Sequence, residues 1–120
     1  MSTNSEAIFV AETKSKMSKE KTLEDNIRIA FNEVKNHWLI SQYNDERKEF
    51  DAAMLAVSSF YGIDSPEFAR IKQEMVYVRA LFHTPSNVPI DWNRLLDEAD
   101  KDFKPIGVTK IWKEVRNDPN

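Results

Sequence analysis

The run MVYVRALF, Met75 to Phe82, decides the fold. Seven of its eight residues are apolar, and Val, Tyr and Phe favour sheets, so taken alone it reads as a buried strand. The residues before it argue otherwise. Phe68, Ile71, Met75, Val78 and Phe82 recur at spacings of three and four, the period of one helix face. That period crosses the ambiguous run unbroken and predicts a helix from Pro66 to His83. A helix that is apolar all round is central or lies in an interface. Arg79, the one charge in the run, then needs a carboxylate or a route to water. In a two-fold dimer, Glu74 of a second copy could supply the carboxylate.

Just upstream stands FYGIDSPEFARI, Phe60 to Ile71. Gly62 sits where a helix ends in a left-handed residue. Asp64 or Ser65 can cap the next helix, and Pro66 takes its first position, where a missing N–H costs nothing. Before this corner, Phe50, Ala53, Met54, Val57, Phe60 and Tyr61 form one stripe. Before that, Leu23, Ile27, Ala30, Phe31, Val34 and Trp38 form another, running from a Thr22 cap to about Gln42 or Tyr43.

Residues 1–21 are polar and aperiodic and read as a flexible tail, with Ile8, Phe9 and Val10 as an apolar exception. Downstream, HTPSNVPI is a loop by its two prolines. Asp91 caps a short helix carrying Trp92, Leu95, Leu96, Ala99 and Phe103, which Pro105 and Gly107 interrupt. Val108, Ile111, Trp112 and Val115 fit a last helix before residues 117–120 fray. The expected fold is all-α: a small orthogonal or bundle-like domain of four to five helices over 22–116, with a disordered N-terminal tail.

Composition narrows the function. The 120 residues hold no cysteine, which removes disulfides, thiolate metal ligands and a cysteine nucleophile. Two glycines, Gly62 and Gly107, cannot build a phosphate cradle, a dinucleotide fold or a serine nucleophile elbow. No run approaches the ~20 apolar residues of a membrane span, and the start lacks a signal peptide. A cytoplasmic, soluble protein is expected. The net charge of −3 argues against a general nucleic-acid coat.

His37 and His83 lack helix-spaced partners, so no metal pair is expected. Asp100 and Asp102 could open a calcium loop, but Pro105 and Ile111 then stand where a glycine and a glutamate belong. No catalytic residue, cofactor, metal or small-molecule substrate is implied. The corner at Gly62–Asp64 does have the length of a helix-turn-helix turn. Its reading residues would be Ser65, Arg70, Lys72 and Gln73, but Glu67 and Glu74 would oppose phosphates.

The composite expectation is a non-enzymatic protein-interaction module: a small regulator, inhibitor or assembly subunit. Its partner would be a protein, including a second copy as a homodimer. The interface residues would be Val76, Tyr77, Arg79, Ala80, Trp112 and Arg116, aromatic residues and Arg being frequent anchors. Trp112 could equally close the core. DNA binding at the corner is the alternative.

Overall fold

The computed structural model describes residues 2–37, 46–83 and 106–117, together with 87, 89, 91 and 94. Five helices make up the described chain: α1 (Ser2–Lys16), α2 (Leu23–Asn36), α3 (Glu46–Tyr61), α4 (Pro66–His83) and α5 (Val108–Asn117). No strand occurs among the described residues. Met75 to Phe82 is helical, so the upstream period prevails over the strand propensity of its side chains.

The α2 stripe is buried as its spacing demands: Leu23, Ile27, Ala30, Phe31 and Val34 all face inward. Thr22 caps it, its Oγ1 accepting from Asp25 N–H at 3.1 Å. From α5, Val108, Ile111, Trp112 and Val115 bury against it. Phe31, Phe50 of α3 and Trp112 meet as three rings, with centroids 4.8 Å apart for Phe31–Trp112 and 5.7 Å for Phe31–Phe50. This cluster is the centre of the core. Trp112 is 2% exposed, so it closes the core and is no partner anchor.

Two expectations need correction. The segment 1–21 is not a free tail over its length: Ser2–Lys16 is helix α1, packed on α2 and α3. Phe9, Thr13 and Met17 recur every four residues and are buried, with Phe9 fully enclosed. Tertiary packing supplies what local propensity lacks here. The turn after α1 is pinned by buried Asn26. Its Nδ2 donates to the Ser18 carbonyl at 2.9 Å and to the Tyr61 hydroxyl at 2.7 Å, and its Oδ1 accepts from Ser18 N–H at 3.2 Å. One amide thus ties the α1–α2 turn to the end of α3.

The second correction concerns the end of α2. The helix stops at Asn36, where His37 turns extended (φ −92°, ψ 143°), short of Gln42. The imidazole lies edge-on to Phe9 at 5.5 Å, a contact that exists because α1 is docked there. Trp38 and residues 39–45 lie outside the described residues. The helix expected over 91–103 does too, apart from its start, where Arg94 N–H donates to Asp91 Oδ1 at 3.1 Å.

The α3–α4 corner follows its sequence closely. Gly62 has φ +88°, and its N–H donates to Ser58 O at 2.8 Å, closing α3. Ser65 Oγ accepts from Phe68 N–H at 3.0 Å and donates to Gly62 O at 2.8 Å, so Ser65 is the cap. A Cβ at Gly62 would meet nothing within 4 Å. The cost of Gly62→Ala is therefore conformational, about 1 kcal/mol for a left-handed non-glycine residue. Urea unfolding should show that loss, and unchanged or raised stability would mean that α3 runs on through residue 62.

Candidate functional site

The faces of α3 and α4 that turn toward each other do not close completely. On α3, Lys48, Asp51, Ala52, Leu55 and Ser58 share one side at spacings of three and four. On α4, Phe68, Lys72, Met75 and Val76 do the same. Between them runs a groove of about 870 Å³, with Glu6 of α1 at its edge. Its walls are apolar: Met54 is fully buried at the base, while Leu55 and Val76 are 46% and 62% exposed. Two methionines, Met54 and Met75, give the walls unbranched, adaptable side chains. Lys48, Lys72, Asp51 and Glu6 form a rim of mixed charge.

A second, shallower groove of about 360 Å³ lies between α1 and α3, lined by Ala7, Val10, Ala11 and Lys14. It shares Leu55 and Glu6 with the first. Leu55 is therefore the apolar ridge between two grooves.

Val76 is the expected interface residue that lines the larger groove. The side chains of Tyr77, Arg79 and Ala80 lie outside the described residues. Arg116 is exposed but ion-paired to Glu49 of α3, with its guanidinium 5.3 Å from the Trp112 ring centre. Glu74 corrects another expectation. It is 3% exposed, with Oε1 accepting from Val108 N–H at 2.9 Å and Oε2 from Ile106 N–H. It is occupied within its own chain and cannot serve Arg79 of a second copy.

The candidate DNA-reading residues are spread over different tasks. Ser65 is taken up by the cap, and Lys72 is exposed on the groove rim. Arg70 and Gln73 are half-buried, as is Glu67 in the first turn. The buried position of Glu74 leaves Glu67 as the remaining acid of the two expected to oppose phosphate.

His37 packs in the core margin beside Phe9, with Glu12 3.6 Å from its Nε2. Among the described residues no cluster of three His, Asp or Glu side chains could hold a metal ion. Nor is any helix there long and apolar enough to cross a membrane. Comparison of the chain with protein-family models, with curated proteins and with solved structures returns no match.

Leu55 could have been flagged from the sequence on the same ground as Val76. Each is a large apolar residue outside the stripe of its own helix, and an off-stripe apolar residue must be exposed or meet another surface.

Proposed function

We propose that the protein is a non-enzymatic binding module that receives an apolar segment of a protein partner in the groove between α3 and α4. The observation that carries this reading is the pairing of Leu55 and Val76, both large, apolar and exposed, on the two walls of one concavity. Contiguous exposed apolar surface rimmed by polar groups marks interaction sites on soluble proteins. An amphipathic helix lays residues spaced i, i+3 or i+4, and i+7 into such a groove, and its flanking charges meet the rim. Lys72 suits an acidic flank and Glu6 a basic one, so the rim sets orientation while the walls supply affinity.

The test uses Leu55→Glu and Val76→Glu, introduced separately. Both side chains are substantially exposed, so helical circular dichroism and melting temperature should stay near those of the wild type. A partner captured by the wild-type chain from an extract of its source cells should be lost from both variants. A partner retained equally by both variants would place binding elsewhere. Selection from a random duplex library supplies the other arm: an enriched sequence whose binding is weakened by Arg70→Ala would assign the Gly62 corner to DNA instead.

A further inference from the structure

The face that carries the groove has a shape that fits a copy of itself. Helix α3 stands in its middle, with the α3–α4 groove on one side and the shallower α1–α3 groove on the other. Leu55 is the exposed ridge between them, so a protrusion and the hollow beside it belong to one surface. Two-fold association needs that combination, because one patch must serve as both halves of the contact.

The charges on this face add a direction. Lys14 donates to Ser59 Oγ at 3.1 Å, and Lys48 and Asp51 are engaged within the chain. Glu6 and Lys72 have no hydrogen-bond or ion-pair partner among the described residues. They carry opposite signs and stand on opposite sides of α3, Glu6 on α1 and Lys72 on α4. A two-fold axis running along α3 lays the α1 side of one copy over the α4 side of the other. Glu6 then meets Lys72 of the second copy, and symmetry makes that contact twice. An axis across α3 lays each side over itself, acid on acid and lysine on lysine, which is unfavourable.

We infer that the occupant of the groove is a second copy of this chain, in a two-fold dimer that sets Leu55 of each copy into the α3–α4 groove of the other. The inference rests on the groove being the binding site, as proposed above, and names what fills it. Leu55 and Val76 gain in the dimer the burial that the single chain does not give them, and they supply the affinity. Met75 on the facing wall has an unbranched side chain that adapts to the incoming leucine. The two Glu6–Lys72 pairs lie at the rim, where ion pairs add little energy, and they fix which way round the copies meet.

Sedimentation equilibrium of the intact chain across a wide concentration range reads the association. A dimer is expected, and Leu55→Glu and Val76→Glu should each leave a helical monomer over the same range. Glu6→Lys or Lys72→Glu alone makes both charge contacts repulsive and should raise the dimer dissociation constant about tenfold. Mixed together, these two weakened variants should form a heterodimer as tight as the wild-type dimer, since opposite charges then meet at both contacts. With one of them isotopically labelled, native mass spectrometry counts the mixed species. Mixing rescues neither a folding defect nor a charge effect within one chain.

A chain that stays monomeric at every concentration would overturn the second copy as occupant. A partner captured from an extract and lost with Leu55→Glu would then assign the groove to a different protein. A dimer indifferent to Leu55→Glu and Val76→Glu would overturn the groove as its interface. If Glu6→Lys and Lys72→Glu fail to rescue each other, the two-fold arrangement is wrong.

Discussion

Replacing Phe9 with alanine should destabilise the protein by about 3–5 kcal/mol, the range for deleting a buried phenyl ring. Phe9 is 0% exposed and its ring meets His37, so its loss opens a cavity between α1 and the body formed by α2 and α3. A ring in an unstructured arm would cost almost nothing to remove. Chemical denaturation therefore distinguishes a docked α1 from a free tail in one comparison. Ile8→Ala is the internal control, because Ile8 is 54% exposed one position away. It should change stability by no more than about 0.5 kcal/mol, as most surface substitutions do.

Phe31→Ala should be at least as severe, at about 3–5 kcal/mol from cavity formation. Phe31 lies between Phe50 and Trp112, and aromatic pairs add about 0.5–1.5 kcal/mol beyond their buried area. The loss should also spread unevenly. Trp112 rests on Phe31, so α5 should lose hydrogen-exchange protection before α2 does. Phe31→Leu, which keeps most of the volume, should recover a large part of the stability. A Phe31→Ala variant as stable as the wild type would mean that the three-ring cluster is not the core of the fold.

The helices with full apolar stripes are legible in the sequence alone. Leu23, Ile27, Ala30, Phe31 and Val34 have one spacing and one fate, as do Val108, Ile111, Trp112 and Val115. The corner at Gly62 was legible because its chemistry is local: a left-handed glycine, a serine cap and a proline within five residues. Helix α1 was not, because its buried stripe passes through Thr13 and is too thin to stand out from a polar segment. Thr13 Oγ1 is buried without a hydrogen-bond partner among the described residues, a cost that local sequence gives no reason to expect.

Glu74 and Asn26 were illegible for a different reason. In the sequence Glu74 is one acid among 20, and the N–H groups it accepts from belong to residues 32 and 34 positions away. Asn26 sits on the edge of a helix stripe where a polar residue is ordinarily solvent-facing, yet it is fully buried. Its bonds reach 8 and 35 positions along the chain. Pattern reading finds which faces are apolar. It does not find which polar group the packing will enclose, since that depends on what arrives from elsewhere. The groove falls between these cases: its walls are residues of two recognisable helices, but its openness depends on how far apart those helices pack.

Site-specific photocrosslinking tests the proposed function most directly. A photoreactive phenylalanine analogue replaces Leu55 in one chain and exposed Lys113 of α5 in another, and both are irradiated in an extract of the source cells. The account predicts a discrete polypeptide adduct from position 55 that is abolished by Val76→Glu on the facing wall, and none from position 113. Equal labelling at both positions, or an adduct at position 55 that survives Val76→Glu, would contradict the groove as the binding site.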